Sequence, residues 1–195
     1  MSLDSPIEKL TTAVFGFALA VGALSLTKAN PETTTEVVSG LVLFSLSFII
    51  LVVIWLGTSD IMSKIDYGKP RTILLNIMLL FFVAIEPYLL NILSTSPTLF
   101  SLSTMLYGID MAFLMGLSAA LSQILLKENK ATLTTRQLRQ HTVQRNNQVL
   151  CAGLFFFSLL PPLLTWTLAG VSVRVLIWFA TLAFSLTISA RNRKK

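Results

Sequence analysis

The sequence predicts an all-α integral membrane protein with six transmembrane helices per subunit, on three observations. Only 12% of its 195 residues are charged and 54% are apolar, giving a mean hydropathy of +0.75. A soluble domain carries about twice that charge. Six segments approach the roughly 20 predominantly apolar residues needed to cross a bilayer. The basic residues also gather on alternate connections, as orientation by the positive-inside rule requires. The single cysteine, Cys151, excludes an intrachain disulfide framework. The net charge of +6 on so oily a chain reads as membrane orientation rather than nucleic-acid binding. Soluble enzymes, secreted disulfide modules and DNA-binding domains are excluded together.

The chain reads as one transmembrane domain, 1–195, with spans at about 11–27, 37–56, 72–93, 102–126, 149–168 and 171–190. Continuous apolar runs such as 41–56 contradict the alternation of a barrel strand. Asp4 and Glu8 against a lone Lys9 are the wrong charge for a signal peptide. Lys9, Lys64, Lys69, Arg71, Lys127, Lys130, Arg136, Arg139, Arg145, Arg191, Arg193, Lys194 and Lys195 fall on one side, leaving Lys28 and Arg174 opposite. Both termini are therefore expected in the cytoplasm. Trp55, Tyr88, Tyr107 and Trp166 fall toward span ends, as headgroup-level rings do, whereas Trp178 sits deeper and is expected between helices. The polar stretch 127–148 is expected to be a solvated cytoplasmic loop rather than a surface-lying amphipathic helix. The two three-span halves do not correspond by eye, which argues weakly against an inverted-repeat transporter.

Enzyme motifs are missing, so no catalytic residue, metal or cofactor is expected. There is no Gly-rich phosphate loop, paired His and Glu at metal spacing, or Gly-x-Ser-x-Gly. His141 and Cys151 are each alone of their type and read as structural. The Thr-Val-Gly-Tyr-Gly carbonyl filter is also missing.

Charges within spans are costly and mark a pathway or a pairing. Glu86, Asp110 and Arg174 fall at depths within about 6 Å of one another at 1.5 Å per residue. They read either as an ion pair joining three helices or as a cation or proton site near the outer vestibule. Pro87, directly after Glu86, can free a backbone carbonyl there.

The first span differs from the Leu-rich others. Ala13, Gly16, Ala18, Ala20, Gly22 and Ala23 permit close helix approach. Ala13, Phe17, Ala20, Leu24 and Thr27 fall within about 80° of arc on a helix. That stripe reads as a packing seam or as a pore lining. In the second case Phe17 and Leu24 form apolar rings two turns apart, which can bar ions by dewetting.

The chain resembles the prokaryotic members of the transmembrane-protein-175 potassium channels, whose animal relatives are lysosomal. Ala13-Val14-Phe15 with its small-residue run is similar to the family's first helix, and Ser47-Phe48 with Trp55 to its second. The stretch from Leu75-Asn76-Ile77 to Val83, followed by Pro87, resembles the third; Leu106-Tyr107-Gly108 with Asp110 resembles the fourth. Spans five and six match only in apolar character.

The resemblance implies a homotetramer in a prokaryotic plasma membrane, with the first helix of each subunit around a central pore. It implies K+ as the permeant ion, favoured modestly over sodium because potassium loses its water more readily. It also places the constriction on the first helix, five residues beyond the signature motif. That position is Phe17, with Leu24 two turns above, Ala20 between them and Thr27 at the outer mouth. The expected partners are the bilayer and other copies of the chain, with no nucleic acid.

The signature departs from the family pattern. Where relatives carry Arg-x-x-x-Phe-Ser-Asp, the chain has Pro6 and Leu10-Thr11-Thr12; Thr58 and Ser59 replace the histidines beyond Trp55. The expectation is a neutral brace, with Thr11 or Thr12 hydrogen-bonded to Thr58, Ser59 or Asp60. The rival expectations are a proton- or cation-coupled carrier using Glu86, Asp110 and Arg174, and a non-conducting membrane scaffold.

Overall fold

The computed structural model describes residues 6–28, 33–65, 69–95, 100–168 and 171–193. The fold is mostly helical: α1 (Pro6–Lys28), α2 (Thr34–Met62), α3 (Pro70–Thr95), α4 (Phe100–Glu128), α5 (Thr135–Phe157), α6 (Pro161–Thr165) and α7 (Val173–Arg193). A two-residue antiparallel pair, β1 (Thr167–Leu168) with β2 (Val171–Ser172), precedes α7. Among the described residues, α1 to α4 are long and apolar enough to cross a membrane, and α7 holds a shorter apolar stretch, Val173–Ile188.

Local chemistry sets the helix limits. Thr33 caps α2 by accepting from the Glu36 amide. Thr134 and Gln137 form a reciprocal capping box at the start of α5. Ser158 ends α5, and Pro161 with Pro162 opens α6, where a missing N–H costs nothing.

α4 is the hub. It packs against α5, α3 and α2, while α1 lies on α3 and α2, and α7 on α5. Met111, Leu114, Leu121 and Leu125 of α4 are fully buried, together with Leu79 and Val83 of α3 and Trp178 of α7. Gly108 lets this packing close: a Cβ there would lie 2.9 Å from the Leu159 side chain.

Two expectations are corrected here. The stretch expected as a solvated loop is helical from Thr135, because the capping box starts a helix whose polar side chains find partners. Asn147 donates to Ser185 at 2.7 Å and Gln148 to Ser118 at 2.6 Å, while Ser122 donates to Gln148 at 3.2 Å. These are the interhelical hydrogen bonds of a membrane bundle. The residues of the fifth expected span accordingly divide among the end of α5, α6 and β1. Tyr107, expected at headgroup level, is buried with its ring centroid 5.0 Å from that of Trp178. Trp178 itself is fully buried between helices, as expected from its depth.

Candidate functional site

The stripe on α1 divides the helix into two unlike faces. Phe15 and Ala18 are buried against the neighbouring helices, whereas Phe17 is 71% and Leu24 58% exposed. Ala13, Gly16 and Ala20 are exposed on the same side as Phe17. A Cβ added at Gly16 would meet nothing within 4 Å. The chain therefore turns the stripe expected to line a pore away from its own core. The side chain of Thr27 lies outside the described residues.

At the start of α1, Thr11 is buried while Leu10 and Thr12 are exposed. The Thr11 hydroxyl donates to the Ile7 carbonyl at 2.8 Å and accepts from Asn76 Nδ2 of α3 at 3.0 Å. Among the described residues no hydrogen bond joins Thr11 or Thr12 to Thr58, Ser59 or Asp60, so the brace runs from α1 to α3 instead of α2. Among the described residues, the buried Thr58 hydroxyl and Trp55 Nε1 find no hydrogen-bond partner. Asn76 was not singled out from the sequence as a contact. An amide inside the apolar run 73–83 is the signal that could have found it.

The end of α2 is polar. Asp60 pairs with Lys64, and its second oxygen lies 3.5 Å from Nε2 of His141 on α5. Lys64 Nζ is also 3.5 Å from that nitrogen, and Asn129 donates to the Lys64 carbonyl. Lys69 and Glu128 form a salt bridge at 2.8 Å nearby. Burial lowers the His141 pKa from its ordinary 6.5; Asp60 opposes that shift and Lys64 adds to it.

The three intramembrane charges do not form one ion-paired cluster. Glu86 on α3 and Asp110 on α4 are both buried. Ser47 of α2 donates to Glu86, Asp110 interacts electrostatically with Glu86, and among the described residues both Asp110 oxygens lack hydrogen-bond partners. Arg174 sits elsewhere, at the join of α5, α4 and α7. It donates to the Ser158 carbonyl at 3.0 Å, to Thr104 Oγ1 at 2.6 Å and to the Ser101 carbonyl at 3.5 Å. Its charge thus lies at the C-terminal end of α5, where the helix dipole favours a cation. Among the described residues no salt bridge links it to Glu86 or Asp110. The expected three-helix ion pair is replaced by an arginine serving helix-end carbonyls and a separate acidic pair. Ser158, which also accepts from Trp178 Nε1 at 3.1 Å, was missed because its role arises from a chain reversal.

Residues 7–87 match the model of the family described as the endosomal/lysosomal potassium channel TMEM175. The matched region contains α1, α2 and most of α3, including the exposed stripe and Glu86. The TMEM175 match agrees with the resemblance read from the residues over the first three spans. Over the whole chain, the fold is similar to a solved variant of the potassium channel MtTMEM175 in complex with a nanobody–MBP fusion protein. That likeness has a TM-score of 0.61 at 17% identity and covers all of this chain and 95% of the other. No curated protein matches the chain significantly. The matched family and the similar solved structure are both named as potassium channels.

Proposed function

We propose that the chain is one subunit of a potassium-permeable channel, and that several copies bring α1 together around a shared axis. In this reading the assembly is a homotetramer of six-span subunits in a prokaryotic plasma membrane, with both termini cytoplasmic. The carrying observation is the exposed stripe on α1. Phe17 and Leu24 are large apolar groups, two turns apart, left uncovered on a helix whose opposite face is packed. They lie within the residues matching a potassium-channel family, and the similar solved fold is also named a potassium channel. Around an axis they make two apolar rings, with Ala20 between and Thr27 at the outer mouth. A ring narrow enough to dewet supplies constriction and gate without a carbonyl filter. K+ sheds water more readily than Na+, and so passes preferentially.

Flux from liposomes under an outward K+ gradient tests the proposal, with a reversal potential in mixed K+ and Na+ as its second readout. The wild type is expected to leak K+ in preference to Na+. Phe17→Ala and Leu24→Ala are expected to increase the leak and to reduce the preference. Silence in the wild type and in both variants would overturn the reading.

The burial of Glu86 and Asp110 without a salt bridge among the described residues favours a second reading, a proton- or cation-coupled carrier. It predicts saturable uptake that collapses in Glu86→Gln and is insensitive to Phe17→Ala.

A further inference from the structure

We propose that the groove between α4 and α5 is a binding site for an anionic phospholipid, with the phosphate on Arg145 and an acyl chain along the groove floor. The groove has a volume of about 650 Å³ and is lined by Gly116, Ala119, Ala120 and Gln123 of α4 and by Arg145, Asn146, Val149 and Leu150 of α5. Its floor is made of the smallest side chains, and its wall of Val149 and Leu150 is exposed. A Cβ at Gly116 would meet no atom within 4 Å. From Gly116 to Gln123 the floor runs along roughly 10 Å of helix, a channel for hydrocarbon rather than for a compact polar solute.

The polar end selects the headgroup. Arg145 Nη1 donates to Gln123 Oε1 at 2.5 Å, and its Nε and Nη2 donate to Asn146 Oδ1 at 3.0 and 2.6 Å. These neutral partners fix the guanidinium at the groove mouth without cancelling its charge. Among the described residues no carboxylate forms a salt bridge with it. Three of its five N–H groups are used, which leaves two for oxygens of a phosphate, the group that the planar fork recognises well. Gln123 lies five residues before Glu128, the end of α4. This puts the charge near the rim of the span, where a headgroup sits, and on the end carrying the basic cluster. A second groove, between α2 and α7, lacks this complement: Ser45 is its one polar lining residue, and it contains no charge to choose an occupant. The inference requires the chain to reside in a bilayer, and does not require it to conduct.

Native mass spectrometry of the purified full-length protein provides the test, with phosphatidylglycerol and phosphatidylcholine of identical acyl chains offered equally. Retention of phosphatidylglycerol is expected to exceed that of phosphatidylcholine about fivefold. Arg145→Gln should bring the two lipids level, while Arg145→Lys retains most of the preference. Arg139→Gln, which removes an exposed charge outside the groove, should leave the preference intact. Ala120→Phe should lower retention of both lipids by filling the floor. An unchanged preference in Arg145→Gln, an equal loss in Arg139→Gln, or full retention in Ala120→Phe would overturn the assignment. So would efficient cross-linking between two copies through Ala120→Cys, because a second copy would then occupy the groove. None of these outcomes bears on K+ flux, so failure here and failure of the channel reading are distinguishable.

Discussion

α1 and α4 are both nearly uncharged helices, yet the fold treats them oppositely. In its most apolar stretch α4 is 72% buried and α1 only 22%. α4 packs against α2, α3 and α5, and even its polar residues Ser118 and Ser122 find partners inside the bundle. α1 packs on α2 and α3 and leaves Phe17 and Leu24 exposed. Burial within the subunit therefore explains the residues of α4. The exposed residues of α1 require an explanation outside the subunit, in lipid or in other copies.

The largest expected effect breaks the symmetry between subunit stability and transport. Trp178 is fully buried, packs on Tyr107 and Phe155, and donates to Ser158. Trp178→Ala should destabilise the folded subunit by about 3–5 kcal/mol. Phe17→Ala should change subunit stability by no more than about 0.5 kcal/mol, because the side chain has little to lose within the subunit. Thermal unfolding of both variants in detergent, beside the liposome flux assay, separates the two roles. Equal destabilisation would show that α1 is packed as deeply as the α4 hub and would remove the basis for a pore face.

The contrast also explains what was legible in the sequence. Apolar runs and charge sidedness are local and additive, so membrane residence and the stripe from Ala13 to Leu24 could be read directly. The partners of buried polar groups are not local. Arg174, Glu86 and Asp110 have similar depths, but depth leaves the rotation of each helix undetermined. Rotation sends Arg174 to Ser158 and Thr104, away from both acids. Polarity similarly concealed α5: a span scan reads 135–148 as too polar, whereas Asn147 and Gln148 bury their amides against serines. The Thr134-to-Gln137 spacing of a capping box was visible there and would have marked the helix start.

A smaller effect sharpens the account of how α1 is held. Its buried Thr11 hydroxyl accepts from Asn76, and this bond spans the two helices. Thr11→Val keeps the shape, removes the acceptor and leaves the Asn76 amide with a lost partner. The expected cost is about 1 kcal/mol, the usual size of an interhelical hydrogen bond in a membrane. Thr12→Val, at an exposed position one residue on, should cost nearly nothing. Denaturation in mixed micelles can resolve the pair. If the two variants cost the same, the contact with α3 does not anchor the start of α1.

The smallest expected effect concerns the polar end shared by α2 and α5, where stability should depend on pH through His141. Burial lowers its pKa below 6.5, outweighing Asp60, while Lys64 acts in the same direction as burial. The unfolded chain then binds the proton more readily than the folded one between the lowered value and 6.5. Stability from the neutral ring is fully present above 6.5 and is lost as pH falls through the folded value. Acidification from about pH 7.5 to 5.5 should therefore lower the unfolding midpoint, by less than about 1 kcal/mol in free energy. His141→Gln should flatten that dependence, whereas Asp60→Asn should steepen it, because it removes the one neighbour that favours the charged ring. A midpoint that falls equally in His141→Gln would assign the dependence to other groups, whereas one that rises on acidification would mean that Asp60 holds the imidazole charged. The join between α2 and α5 would then be an ion pair rather than a contact made through a neutral ring.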